Sequence, residues 1–264
     1  MTARRTGAPT PDTLREGVRE RYGKLAAGGG CCGERSGNSS CCGGTSGLVQ
    51  MGYDPAEIET IRAGADLGLG CGNPTALLSL RPGEVVLDLG SGAGIDCFLA
   101  AKKVGPRGLV IGVDMTPEMV ARARRNAREG RHRNVEFRLG EIEHLPVPDG
   151  SVDAIISNCV INLAPDQGRV YREAFRTLRP GGRLAVSDVV ATRPISKRER
   201  ADPSLWESCF SGAIGFAKLR RLIAHAGFEG IEIDLRTAGG AATGLHSVPP
   251  GVYPASIRAV KPAG

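Results

Sequence analysis

VVLDLGSGAG, Val85–Gly94, holds a strand, a turn and the start of a helix in one short stretch. Val85-Val86-Leu87 is a continuous apolar run, the mark of a strand buried on both faces. Asp88 closes it, and Gly90-Ser91-Gly92-Ala93-Gly94 reads as a tight turn. Ile95 to Val104 is helical, with Phe98, Leu99 and Ala101 apolar. The same alternation continues downstream. Leu109–Val113 is a second strand ending in Asp114, and Thr116-Pro117-Glu118 opens a helix to about Glu129. Val135–Leu139 is a third strand and Val152–Ser157 a fourth. A helix from Asp166 to Leu178 follows, and Pro180-Gly181-Gly182 turns into a fifth strand, Arg183–Ser187. Helices near Leu205 and over Phe216–Ala226 precede the last strands, Gly230–Leu235 and Val252–Val260. Strands alternating with helices predict a parallel sheet covered on both faces. The expected architecture is a doubly wound, Rossmann-like α/β domain over 81–264 with a lid near 195–226, behind an N-terminal cap over 1–80.

The cap reads differently. Residues 12–26 are rich in helix formers and follow Pro11, which predicts an exposed helix. Gly28–Gly47 is rich in Gly and Ser and has no hydrophobic period, so it cannot bury a core. It carries two vicinal pairs, Cys31-Cys32 and Cys41-Cys42. Asp54-Pro55 and Asn73-Pro74 each pair an N-cap with Pro at the first helical position, so short helices should start there.

Composition narrows the function classes. The 264 residues are 41% hydrophobic and 23% charged, ordinary for a globular chain. The apolar runs are too short to span a bilayer, which argues against a membrane protein. Met1–Pro11 has no apolar core, so a cytoplasmic, reducing location is expected. The net charge of +6 is spread among interleaved acids, and aromatics are only 4%, so the charge reads as a solvated surface and no nucleic-acid partner is expected. Eight cysteines then stand out as free thiols, metal ligands or redox groups.

In a doubly wound sheet, ligands bind beyond the carboxyl ends of the strands, where the strand order reverses. The glycine turn marks that place, because backbone N–H groups there approach a ligand at a helix N-terminus. A dinucleotide fingerprint G-x-G-x-x-G fits poorly, since its third glycine would fall on Ile95. An acid two residues before G-x-G-x-G, with a second acid closing the next strand, fits well: Asp88, Gly90 to Gly94 and Asp114. With Glu143-His144-Leu145-Pro146 and Arg179-Pro180-Gly181-Gly182, this resembles the class I S-adenosylmethionine-dependent methyltransferases. The resemblance implies that Gly90, Ser91 and Gly92 line the methionine portion and ribose, with Asp88 beside them. It implies that Asp114 accepts from the ribose hydroxyls and Met115 packs on adenine. Glu141, Ile142 and Glu143 would border the adenine edge, and Asn158 would face the sulfonium.

Cys159 follows strand four, at the rim of that crevice. Cys71 lies in an irregular segment before strand one, and Cys209 lies after strand five; both segments can cover the same rim. Three such thiols suggest a site for a soft, thiophilic centre. The phrases GLGCGNP, VLDLGSGAGIDCFLA, GVDMTPEM, GEIEHLP, SNCVINL and CFSGA are similar to those of the arsenite S-adenosylmethionine methyltransferases, from about Val18 to Val260. That resemblance implies arsenic(III), as arsenite or methylarsenite, held by Cys71, Cys159 and Cys209. It implies a mobile redox partner in Cys41 or Cys42, and thioredoxin or glutathione as reductant. Many members continue into a further C-terminal domain, whereas this sequence ends soon after its last strand. For the vicinal pairs a zinc site stays open, although zinc spacing is usually wider. Cys97 reads as a small buried hydrophobe. His132, His144, His225 and His246 have no partner by spacing and are not expected to act in catalysis. Two rivals remain: a methyltransferase of a small quinone-type metabolite, and a non-enzymatic thiol buffer for metalloids.

Overall fold

The structure is a computed structural model. It describes residues 10–28, 48–49, 51–59, 61, 63–67, 70–200, 202, 205, 210–235 and 251–264. The sheet has seven strands in the order β3-β2-β1-β4-β5-β7-β6. They are β1 (Val85–Leu89), β2 (Leu109–Asp114), β3 (Val135–Leu139), β4 (Val152–Asn158), β5 (Leu178–Ala191), β6 (Glu229–Leu235) and β7 (Val252–Val260). β1 to β5 are parallel, but β7 pairs antiparallel with both β5 and β6. The sheet is therefore mixed rather than parallel throughout. The sequence pattern shows where strands lie but not the direction of the last strand.

β1 and β4 lie at the centre, and Val86, Leu87, Leu89, Ala154, Ile155 and Ile156 have no exposed surface. Each large side chain so buried stabilises the fold by roughly 1.5–3 kcal/mol. The helices on the sheet are α4 (Ile95–Val104), α5 (Pro117–Glu129), α6 (Gln167–Thr177) and α8 (Phe216–His225). N-terminal to them lie α1 (Pro11–Ala26), α2 (Pro55–Glu59) and α3 (Pro74–Leu77); α7 (Lys197–Arg200) follows β5. Asn73 caps α3 as expected, its Oδ1 accepting from the Ala76 N–H at 3.0 Å. No helix among the described residues is long and apolar enough to cross a membrane.

Two expectations change. β5 begins at Leu178, not Arg183, and runs to Ala191. The Arg179–Gly182 turn is a bulge within it: Val152 faces Leu178 while Ala154 already faces Arg183, and Gly181 takes φ 75°. The first helix is also not simply exposed. Val18 and Ala26 are buried, and Arg122 of α5 donates to the Ala26 carbonyl at 3.0 Å. On its own α1 reads as polar, because the partners of its apolar side lie a hundred residues away.

The glycine turn is shaped by close approach. Gly90 sits at φ 70°, and a Cβ there would collide with the Val160 side chain. Gly90→Ala combines a left-handed backbone with overpacking, so it should cost about 3 kcal/mol. Urea unfolding reads this directly, and a loss below about 1 kcal/mol would show that Val160 does not pin the turn.

Candidate active site

The carboxyl ends of β1 and β4 lie side by side where the strand order reverses, and the Ser157 hydroxyl donates to the Leu89 carbonyl at 3.1 Å. Gly92, at φ 51°, faces open space: a Cβ there would meet nothing within 4 Å. Its N–H donates to Asp114 Oδ2 at 2.9 Å, and the Thr116 N–H donates to Oδ1 at 2.9 Å. Burial raises the Asp114 carboxyl from its ordinary value, and these donors work against that rise. Beside it opens a cavity of about 450 Å³ lined by Arg19, Met115, Pro117, Leu139, Gly140 and Glu141. That is an ordinary size for a small-molecule site. An open cradle at Gly92, an acid at its mouth and a cavity along Met115 fit a nucleoside cofactor.

Other predicted cofactor residues have partners of their own. Asp88 is buried beneath the turn, and its Oδ2 accepts from the Cys97 thiol at 3.2 Å. Burial and the nearby Asp96 push its carboxyl well up. Cys97 is fully buried, in keeping with a core role. The Ser91 hydroxyl is buried with no hydrogen-bond partner among the described residues, and only a glycine at position 112 leaves it room. Ile142 and Glu143 are buried. Glu143 accepts from Arg15 at 3.0 Å and Glu141 from Arg19 at 2.7 Å, so α1 closes over the 141–143 segment.

Cys71 and Cys159, 88 residues apart in sequence, are joined as a disulfide with Cα atoms 5.6 Å apart. Cys159 adopts φ 58°, a conformation a side-chain-bearing residue rarely takes, and its N–H donates to the Ser187 carbonyl at 2.7 Å. The strained turn carries its side chain off the end of β4. Both cysteines belong to one apolar cluster with Val18 and Tyr22 of α1, Met115, Val160 and Phe210. Cys209 and the pairs Cys31-Cys32 and Cys41-Cys42 lie outside the described residues, as does Trp206. Phe210, next to Cys209, belongs to the same cluster as Cys71 and Cys159.

Sequence reasoning missed what holds this site. The Asn158 amide accepts from the Cys71 N–H at 3.0 Å and donates to the Gly72 carbonyl at 2.8 Å. It also donates to the Tyr53 hydroxyl at 2.9 Å and to Asp96 at 3.2 Å. Tyr53 in turn donates to Asp96 at 2.8 Å. A second buried acid, Asp188 on β5, accepts from the Asn162 amide at 2.8 Å. Asn162 accepts from Gln167, which also donates to the Gly212 carbonyl at 2.7 Å. This chain of bonds ties the 210–213 segment to the sheet.

A methyltransferase-domain family model matches residues 80–227. An arsenite methyltransferase of Halobacterium salinarum is 53% identical over 231 residues, covering 84% of this chain and 59% of that protein. One from Aquipseudomonas alcaligenes is 38% identical over 224 residues, covering 81% and 62%. The crystal structure of CrArsM, an arsenic(III) S-adenosylmethionine methyltransferase from Chlamydomonas reinhardtii, aligns with TM-score 0.62 at 34% identity. It covers 82% of this chain and 73% of that one. The chain belongs to the class I methyltransferases and, among them, to the arsenite S-adenosylmethionine methyltransferase family. It spans about three fifths of the length of the two curated relatives.

Two measurements follow from this geometry. Asp114→Ala should weaken S-adenosylmethionine binding about thirtyfold, the worth of about 2 kcal/mol of charged hydrogen bonding. Calorimetric titration that finds wild-type affinity would reject a ribose-binding role. Burial raises Asp188 from 3.8 to about 6. A carboxyl raised on folding contributes its full stability below the unfolded value, and loses that contribution as pH climbs through the folded one. The stability gap between wild type and Asp188→Asn should therefore shrink by about 2 kcal/mol from pH 4 to pH 7. A gap that does not vary with pH in urea melts would contradict this.

Proposed function

We propose that this chain methylates trivalent arsenic, using S-adenosylmethionine as methyl donor and Cys71, Cys159 and Cys209 as the ligands of arsenite or methylarsenite. The observation that carries the reading is the meeting of Cys71 and Cys159 at the end of β4, packed with Met115 from the cofactor side. Thiolates suit arsenic(III), a soft centre that takes three of them and keeps a lone pair. S-adenosylmethionine supplies a methyl group activated on a sulfonium. The lone pair is already a nucleophile, so no side chain has to remove a proton. What the chain must provide is placement of arsenic in line with the methyl carbon. In this reading Gly92 and Asp114 hold the donor, and the sulfurs hold the acceptor across the same crevice. The apolar wall of Val18, Tyr22 and Phe210 keeps water from the reacting centre.

The electron balance follows from the ligands. Arsenic forms a bond to carbon while the sulfonium C–S bond breaks, which takes arsenic formally to the pentavalent state. Two thiolates joining as a disulfide return two electrons to it. Thioredoxin or glutathione then reduces the disulfide by exchange. Cys41 or Cys42 is the proposed resolving thiol. We assign residues 1–80 to the cap and 81–264 to the methyltransferase domain; of the lid expected near 195–226, α8 instead packs in the sheet core through Leu219 and Ile223, which leaves 195–215 as the lid. A cytoplasmic setting accords with the thiol chemistry.

Incubation with arsenite, S-adenosylmethionine and glutathione, followed by chromatography of methylated arsenicals, tests the proposal. Cys159→Ser and Cys209→Ser should each lower turnover at least about a hundredfold while S-adenosylmethionine binding survives. Full activity in either variant would sink the thiol site and favour a small-metabolite methyltransferase. Stoichiometric arsenite binding without turnover, lost on deleting residues 28–47, would favour a metalloid buffer.

A further inference from the structure

The loop that carries Cys71 has no regular structure between Gly70 and Asn73. Something outside the loop must therefore set where its sulfur lies. One side chain grips both polar groups of its backbone at this point: the Asn158 amide takes the Cys71 N–H and gives to the Gly72 carbonyl. Asn158 is the last residue of β4 and the neighbour of Cys159. The residue that grips one cysteine is thus covalently next to the other. Gly70, at φ 146°, lies flat against this amide, and a Cβ there would stand 3.1 Å from Nδ2.

The amide needs its own support, because a free carboxamide can turn over and exchange donor for acceptor. Tyr53 and Asp96 prevent this. Asp96 sits in the first turn of α4, and its two oxygens accept from the Tyr53 hydroxyl at 2.8 Å and the Asn158 amide at 3.2 Å. A flipped Asn158 would set its oxygen against Asp96 and its NH2 against the Cys71 N–H. Tyr53 is itself fixed, since the Asn73 amide donates to the Gly52 carbonyl at 3.1 Å and so ties the Tyr53 turn to the cysteine loop. Tyr53 and Asp96 are both buried, where an unmatched donor or acceptor is expensive.

We infer that Tyr53, Asp96 and Asn158 are positioning residues that fix the Cys71 sulfur at bonding range of Cys159, acting through the orientation of one amide. The inference rests on the proposed function, in which these two sulfurs are substrate ligands. None of the three has to touch arsenic or the methyl donor.

The test measures the closeness of the two thiols without either substrate. In glutathione buffers, Cys71 and Cys159 together reduce oxidised glutathione to two thiols and become a disulfide. Peptide-resolved mass spectrometry of the full chain gives the fraction joined, and hence the effective concentration of one thiol at the other. Tyr53→Phe should lower it about tenfold and Asn158→Ala about a hundredfold. Tyr53→Phe should keep the wild-type melting temperature within a few degrees and bind S-adenosylmethionine normally. A wild-type effective concentration in both folded variants overturns the inference. So does loss of cooperative melting in both, since the cluster would then serve the core rather than the sulfur pair. The readout contains no arsenic and no methyl donor. A wild-type chain that cannot methylate arsenite would sink the proposed function and leave this measurement standing.

Discussion

The parallel pairing of β1 with β4 is the constraint on which the site depends. It sets Asp88 opposite Ile156 and Leu89 opposite Ser157, so both chains leave the sheet at the same level. One leaves as the glycine turn and the other as Asn158-Cys159-Val160. Val160 then folds back onto Gly90, so the donor side and the thiol side of the crevice share a wall. A one-residue slip in this pairing would turn Asn158 and Cys159 to opposite faces. The fully buried apolar residues along both strands make such a slip too costly to occur.

Two kinds of force act on the first helix, and their sizes assign them different roles. Burial of Val18 and the packing of Tyr22 drive α1 onto the crevice. The ion pairs of Arg15 and Arg19 with Glu143 and Glu141 contribute little net stability, because removing a carboxylate from water offsets most of the attraction. What they supply is register. Glu143 is nearly fully buried, so a helix docked one turn away would leave its charge without a partner. The apolar surface holds α1 down, and the charges determine where.

Much of this was legible in the sequence for a simple reason. The β1 turn, the Asp114 stop and the Pro-opened helices are local events, each set by residues a few positions apart. Period and turn chemistry report such events faithfully. Cys71 and Cys159 were also foreseeable, because topology puts Cys159 at the crevice rim, the Cys71 segment can cover that rim, and the family resemblance groups the two. Tyr53 and Asp96 were not. Asp96 reads as an ordinary acid in the first turn of a helix, and Tyr53 as one aromatic in a turn. Their meaning lies in contacts spanning 43 and 62 residues, which no periodicity encodes. The antiparallel β7 and the docked face of α1 escaped for the same reason.

The distance along the chain between Arg15 and Glu143, 128 residues, has a consequence during synthesis. At about 5–20 residues per second, the first helix leaves the ribosome roughly ten seconds before its carboxylate partner exists. β1, β2 and β3 are made in that interval, but β4 is not. Until then α1 can meet α5, whose Arg122 donates to the Ala26 carbonyl, but not the carboxylates that set its register. The final register of α1 is thus fixed late in the order of assembly, once the segment after β3 is in place.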